Sequence, residues 1–337
     1  MNIAVLFGGI STERNVSIAG GRAVVEALRS KGHNVIPVDP ALGADWKRSE
    51  EVLNGGNGVP SLDELSKMSS RNIIDCINSD AFDNVDVAFI VLHGKWGEDG
   101  RMQSLLELRG IPYTGSKVKG SAIAIDKNSS KMIFLAANIP TPPWYVVRPK
   151  DYENYEYFEE IRGELGNHLV IKPNDQGSTI GITIVESGNL DEIHDGILTA
   201  SEYSDLVLIE KFIEGQEITV GIIGEDTLPV IEIVPEDGYY DYEHKYTKGK
   251  TRYECPADIS EDIAEFTQSM AHTAYMALGC SGFARADFRL DEDGQPFLLE
   301  MNTIPGFTAT SLVPMAAKEV EIEFPELCER IIEIALE

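Results

Sequence analysis

The segment Phe283-Ala-Arg285-Ala-Asp287-Phe-Arg289-Leu290-Asp-Glu-Asp293-Gly294-Gln-Pro-Phe297-Leu-Leu-Glu300-Met-Asn302 decides the architecture of the C-terminal part of the chain. Two alternating runs flank Asp293-Gly294, the dipeptide favoured in a two-residue hairpin turn. A turn centred there places Asp287 opposite Glu300 and Arg285 opposite Asn302. Side chains alternate faces along a strand. Ala286, Phe288, Leu290, Phe297, Leu299 and Met301 are therefore expected on an apolar core face. Arg285, Asp287, Arg289, Leu298, Glu300 and Asn302 fall on the other. Two carboxylates about 5 Å apart repel unless a cation lies between them. With the Asn302 amide they form an oxygen-only donor set of the kind Mg²⁺ takes, water and phosphate oxygens completing its shell. A solvated polar face neutralised by Arg285 and Arg289 is the alternative that this segment leaves open.

Strands dominate upstream of the hairpin as far as Glu217, at 217–223 and 228–234, with one helix between Glu261 and Leu278. A last helix is expected over 325–336. Before Glu217 the pattern mixes a helix from Ala122 to Ala137 with strands at 144–147, 168–172, 181–185 and 206–212, and a helix after Asn189. The N-terminus differs. A strand over 2–7 ends at Gly8-Gly9, a helix runs from Val16 to Lys31 and stops at Gly32, and a second strand covers 33–38. The unbroken apolar run 85–92 reads as a buried parallel strand, followed by a helix over 102–109. Ile111-Pro112-Tyr113 then begins the exit from this part. This β-Gly-α-β opening belongs to doubly wound α/β domains. Residues 41–70 are polar and read as an irregular insertion. The expected fold is an α/β N-terminal domain (1–115) followed by two α+β domains (116–211 and 212–337).

The chain has 337 residues, enough for two or three domains, and a net charge of −28. Such a field repels nucleic acid and anionic membrane and favours a metabolic enzyme over a DNA binder. No apolar run approaches the roughly 20 residues of a membrane span, and the start lacks the basic, apolar character of a signal peptide. Cys76, Cys255, Cys280 and Cys328 form no C-x-x-C pair and no zinc spacing, so they read as small apolar fillers in a reducing cytoplasm.

Four further segments carry polar chemistry. In Ile171-Lys172-Pro-Asn-Asp-Gln-Gly177-Ser178-Thr179-Ile-Gly181 a strand delivers a lysine to a glycine- and hydroxyl-rich loop. Backbone N–H groups of such a loop can cradle phosphate; an ordinary hairpin turn is the alternative. Lys127 is a second candidate phosphate cation or a plain helix-surface lysine. Around Leu208-Ile-Glu210-Lys211-Phe212, with Glu217 beyond Gly215, a backbone edge can read a base and a glutamate can accept from ribose hydroxyls; a charged strand end explains the segment equally. In Phe7-Gly8-Gly9-Ile-Ser11-Thr12-Glu13-Arg14, Ser11 or Thr12 is expected to cap the following helix. Glu13 then either serves the helix dipole or binds a ligand ammonium. The tyrosine-rich stretch Tyr239 to Tyr253, with Lys245 and Tyr246, reads as a lid or as a surface loop packed by its own rings.

Taken in order, FGGISTERNVS, LHGKWGEDG, ELRGIPYTGS, IKPNDQGSTIG, EKFIEGQEITVG, YYDYEHKY, ARADF and LLEMNTIPGFTATSLVP resemble the D-alanine–D-alanine ligases of the ATP-grasp superfamily. The resemblance runs from Asn2 to the last helix. It implies three domains with ATP between the central and C-terminal ones, two Mg²⁺ ions with Mn²⁺ as a substitute, and ATP-driven joining of two D-alanines through an acyl phosphate for peptidoglycan precursor synthesis. It implies that Lys127 and Lys172 hold ATP phosphates, that Ser178 and Thr179 belong to the loop that closes on them, that Glu210, Lys211 and Glu217 line the nucleoside pocket, and that Lys245 also binds ATP. Asp287, Glu300 and Asn302 match the magnesium ligands. Arg285 and the backbone of Gly306 match the oxyanion-stabilising groups. Glu13 matches the residue that takes the first ammonium, and His93 a histidine near the first D-alanine. Ser311 and Leu312 match positions at the second substrate. Glu13, Ser178 and Tyr246 match a hydrogen-bonded trio joining the N-terminal domain to the lids.

Departures from the family pattern are Thr179 for a second serine, Ser104 for a common glycine and Phe307 for a common methionine; none removes a reacting group. Relatives that make the depsipeptide D-alanyl-D-lactate commonly carry Phe at the position of Tyr246, so Tyr246 favours the dipeptide. A D-alanine–D-lactate ligase or another ATP-grasp dipeptide ligase is the alternative. The resemblance also implies a homodimer formed through the N-terminal domain.

Overall fold

The computed structural model describes residues 1–55, 69–235 and 251–337. The N-terminal region is built on a parallel sheet in the order β2-β1-β3, from β1 (Asn2–Leu6), β2 (Asn34–Val38) and β3 (Val87–Ile90). β1 and β3 are almost wholly buried, as an apolar strand covered on both faces must be. Helix α1 (Arg14–Ser30) follows β1 and buries Ile18, Val24, Val25 and Leu28. Tyr113 does not simply leave this domain: it pairs in parallel with Ala88 at the sheet's edge.

The expected irregular insertion after residue 41 is helical on both sides of its undescribed part. A 3₁₀ segment Pro40–Arg48, α2 (Ser49–Leu53) and α3 (Ser70–Ile77) pack there. Asp39 starts the segment by accepting from the Ala41 N–H, and Trp46 bonds Asp80, so polar composition here conceals local order.

Helix α4 (Arg101–Arg109) leads to α5 (Val118–Ile125) and α6 (Lys127–Ala136). The single helix expected over 122–137 is thus two. Asp126 takes extended dihedrals between them, and its carboxylate accepts from the Ser129 N–H as a cap. The cap restarts the helix so that Lys127 and Lys131, four residues apart, share a face.

The central region is an antiparallel sheet in the order β4-β7-β5-β6, from β4 (Trp144–Val147), β5 (Leu169–Pro173), β6 (Thr183–Val185) and β7 (Val207–Lys211). Helices α7 (Tyr155–Leu165) and α8 (Leu190–Ser201) cover it. The C-terminal sheet runs β11-β10-β8-β12-β13, with β8 (Gln216–Ile223), β10 (Ile231–Pro235), β11 (Thr251–Glu254), β12 (Phe283–Leu290) and β13 (Pro296–Asn302); the short β9 (Asp226–Thr227) pairs with β8. Helix α9 (Glu261–Leu278) packs on this sheet. Helix α10 (Leu312–Glu319), absent from the sequence expectation, and α11 (Phe324–Leu336) fold back into the N-terminal core. Three sheets in series give the expected α/β plus two α+β arrangement.

The β12–β13 hairpin departs from expectation in a way that matters. Its turn is not the two-residue Asp293-Gly294. Asp291 and Gln295 pair across a longer loop, Asp291 accepts from the Gly294 N–H, and Gly294 adopts a φ of +79°. That displaces the strands by one residue, so Phe288 faces Leu298. A bulge at Leu299 restores the register, and Asp287 faces Glu300 and Arg285 faces Asn302 as expected. The core side is corrected accordingly. Leu298, placed on the polar face by strict alternation, is fully buried in the core, while Leu299, expected in the core, turns to the opposite side with Glu300.

Candidate active site

Two adjoining clefts meet at the β12–β13 face. The larger, about 420 Å³, lies between α1, the loop after β3 and the loop 304–312. The smaller, about 160 Å³, lies between the central and C-terminal sheets.

In the larger cleft Glu13 occupies the N-cap position of α1, and its side chain makes no capping hydrogen bond. Neither Ser11 nor Thr12 caps it either; the Ser11 hydroxyl instead accepts from the Glu13 N–H. The carboxylate of Glu13 is buried and accepts a hydrogen bond from the Ser178 hydroxyl, joining the N-terminal region to the loop after β5. A methyl group on Gly94 would lie 2.7 Å from this carboxylate, so a glycine is needed there for the close approach. Ser178 and Thr179 hold left-handed dihedrals, φ 52° and 61°, unfavourable for residues with a Cβ and found where a loop is held for a purpose. Beneath Glu13, an element missed in the sequence fixes the glycine turn. Arg14 and Asp39 form a fully buried ion pair, and Asp39 accepts from the Gly9 N–H at 3.0 Å.

His93 and Glu98 grip one residue of the opposite loop, Ile304, by its carbonyl and its N–H. His93 Nδ1 donates to the Ile304 carbonyl at 2.9 Å, and Glu98 accepts from the Ile304 N–H at 3.3 Å and the Gly94 N–H at 2.7 Å. A carbonyl only accepts, so Nδ1 carries the proton. Burial favours the neutral ring, and Nε2 is left as an acceptor, buried and with no partner among the described residues. Burial, reinforced by the charge of Glu13, pushes the Glu98 carboxyl up to about 8. Glu98 was visible within the quoted GEDG segment but given no role. Gly306, Ser311 and Leu312 line the same cleft, and the Ser311 hydroxyl accepts from the Thr308 N–H.

Asp287 lies between the clefts. Arg285 donates to both its oxygens at 2.7 Å, Thr219 donates at 2.7 Å, and the Asn302 amide nitrogen donates at 2.7 Å. Glu300 pairs with Lys127 at 2.9 Å, and Lys127 also donates to the Gln176 carbonyl. Burial alone would depress Lys127, but the Glu300 carboxylate outweighs it and raises the group. Each acid of the expected metal face thus carries its own protein cation. Asp287, Glu300 and Asn302 nevertheless supply hard oxygen donors of the kind Mg²⁺ takes, two carboxylates and an amide oxygen.

The smaller cleft is lined by Lys127, Lys172, Thr179, Lys211, Glu217 and Leu299, among others. Glu210 lines it too, but its carboxylate is only 2% exposed and is bound by Lys172 at 2.7 Å and Lys131 at 3.1 Å. It is thus the shared counterion of two lysines. Lys245 and Tyr246 lie outside the described residues.

Models of the D-ala D-ala ligase N-terminus and C-terminus match residues 2–116 and 133–333. The chain belongs to the D-alanine–D-alanine ligase family. The D-alanine–D-alanine ligase of Alkalilimnicola ehrlichii is 42% identical over 98% of this chain and 93% of its own length. The Bacillus anthracis D-alanine–D-alanine ligase complexed with ATP superposes with a TM-score of 0.77 at 31% identity, over 100% of this chain and 97% of that one. A D-Ala:D-Ser ligase from Enterococcus faecalis, also of this family's fold, gives a TM-score of 0.80 at 31% identity, over 99% of both chains.

Proposed function

We infer that the protein joins two D-alanines to D-alanyl-D-alanine at the expense of ATP. The observation that carries this is the placement of a lysine-lined cleft and a carboxylate-pocket cleft on either side of Asp287 and Glu300. The smaller cleft takes ATP, its phosphates toward Lys127 and Lys172 and the hydroxyls of Ser178 and Thr179. Lys211 and Glu217 border the nucleoside. Leu299 supplies an apolar wall for the base. Asp287, Glu300 and Asn302 would hold Mg²⁺, which when bound would supply charge neutralisation for the transfer of the phosphoryl group.

A carboxylate is a poor electrophile, so the first D-alanine must be phosphorylated before an amine attacks it. Glu13 offers its carboxylate to that substrate's ammonium, and His93 Nε2 offers a second acceptor on the same cleft. Arg285 and the Gly306 N–H stabilise the oxyanion that forms when the second amine adds. Ser311 and Leu312 border that second substrate. The loop carrying Ser178 excludes water from the acyl phosphate; the parts that the resemblance gives to Lys245 and Tyr246 fall outside the described residues. Domain limits near 1–115, 116–211 and 212–337, a homodimer and a cytoplasmic location belong to the same proposal. No helix among the described residues is long and apolar enough to cross a membrane.

The test is phosphate release and mass-spectrometric product detection with ATP, Mg²⁺ and D-alanine. Dipeptide is expected with D-alanine and none with L-alanine, and chelation of the metal should stop turnover. Equal turnover with L-alanine would overturn the stereochemical claim; preferential use of D-lactate or D-serine as acceptor would replace the dipeptide assignment.

A further inference from the structure

The group the proposed mechanism leaves unused is Lys131. Its side chain is 0% exposed and does not border either cleft. It stands in a cage: its ammonium donates to the Thr141 hydroxyl at 2.6 Å, meets Glu210 at 3.1 Å and lies 5.0 Å from the centre of the Trp144 ring. Trp144 is itself fixed by its indole N–H to the Asn128 side chain at 3.0 Å. A lysine buried in this way costs stability, and apolar residues of similar volume commonly replace such groups without loss. Burial pulls its ammonium down to about 8, against the attraction of Glu210 and with repulsion from Lys172 and Lys127.

We infer that Lys131 is a positioning residue for the nucleotide, acting by competing with Lys172 for the Glu210 carboxylate. Glu210 offers one oxygen to each lysine. With Lys131 present, Lys172 shares its carboxylate and keeps positive charge to direct into the cleft that it lines. Without Lys131, Lys172 and Glu210 form a matched pair, electrically closed and drawn away from an incoming phosphate. The arrangement lets a protein of charge −28 present an effective cation to a polyanion from a cleft that also holds the acids Glu210, Glu217, Asp287 and Glu300. Lys131 thus reaches the nucleotide through Glu210 and Lys172 and never touches it. The inference rests on the smaller cleft being the nucleotide site.

The experiment measures binding of the non-hydrolysable ATP analogue AMP-PNP, with Mg²⁺, by calorimetry, and the kinetics of dipeptide formation, in four proteins. These are the wild type, Lys131→Met, Lys131→Met/Glu210→Gln and Thr141→Val. Lys131→Met is expected to weaken AMP-PNP binding and raise the KM for ATP about tenfold, with the KM for D-alanine and kcat at saturating ATP changed less than twofold. The double variant removes the carboxylate that captures Lys172, so AMP-PNP affinity should recover to within about threefold of wild type. Thr141→Val loosens Lys131 without changing charge and should give a smaller loss of the same kind; it decides the matter should Lys131→Met fail to fold. Unchanged AMP-PNP affinity in the folded single variants, loss without recovery in the double variant, or equal loss in both KM values and kcat would overturn the inference. Wild-type protein that binds AMP-PNP but makes no dipeptide would instead overturn the proposed activity, with the role of Lys131 still decided by calorimetry.

Discussion

Glu98 shows how the site's chemistry resides in single groups that composition cannot rank. Its carboxyl is buried against the N–H groups of Gly94 and Ile304 and faces the acids Glu13 and Glu300, with Lys127 nearby. Its folded value of about 8 lies above the ordinary carboxylate value of about 4.3. Below that lower value both folded and unfolded states hold the proton. Between the two values only the folded state holds it, so this group's contribution to stability falls as pH rises and is lost above about 8. Glu98→Gln should therefore flatten the pH dependence. The amide loses one acceptor, a constant penalty of about 1–3 kcal/mol. Against that offset, stability relative to wild type should improve by a few kcal/mol between pH 5 and pH 9. Denaturant unfolding at both pH values checks this; a difference independent of pH would mean that Glu98 is ionised throughout.

Among the elements, the β12–β13 hairpin carries the most consequence per residue. Strict alternation would put Leu299 in the core and Leu298 beside the ligand; the bulge exchanges them. Leu298→Ala is expected to cost about 2–5 kcal/mol of stability through an unfilled core space, with the KM for ATP little changed. Leu299→Ala should do the reverse, raising the KM for ATP about tenfold as an apolar wall is lost, at small cost in stability. Thermal unfolding and ATP saturation curves on the pair separate the two cases. Swapped outcomes would remove the bulge from the argument.

Across the whole molecule, the loop that bears Gly306 is held by a ring cluster drawn from distant parts of the chain. Phe307 is buried, with ring centres 5.8 Å from Phe89, 5.2 Å from Phe283 and 5.4 Å from Phe324. Phe307→Ala should cost about 3–5 kcal/mol and raise the KM for D-alanine, because the loop that lines the larger cleft loses its anchor. Phe307→Met, close in volume and flexible, should cost less than about 1.5 kcal/mol and leave the KM near wild type. Unfolding midpoints and D-alanine saturation measure both; a large KM effect from Met would mean that the ring has a direct part in the site.

The sequence by itself determined the limits of several strands and one long helix, set by apolar runs and the turn residues that bound them. Phe283–Leu290, Pro296–Asn302, Trp144–Val147 and Glu261–Leu278 match their expected limits. It also determined the family, because the decisive residues stand in ordered motifs; the pairing of Asp287 with Glu300 agrees with the expectation because the bulge offsets the longer turn. Asp126 was readable as a helix break only by weighing its cap against an apolar pattern that ran across it. Only the tertiary structure decided what depends on partners far apart in the chain. Glu210 became a shared counterion because Lys131 and Lys172 arrive from different elements, and Glu98 became a holder of Ile304 because its own burial is set by the facing loop. The hairpin's two irregularities, one at Gly294 and one at Leu299, shift the register and then restore it. Local alternation carries no trace of that exchange, since either leucine satisfies an apolar pattern and only packing against the opposing sheet and helices selects which one is buried.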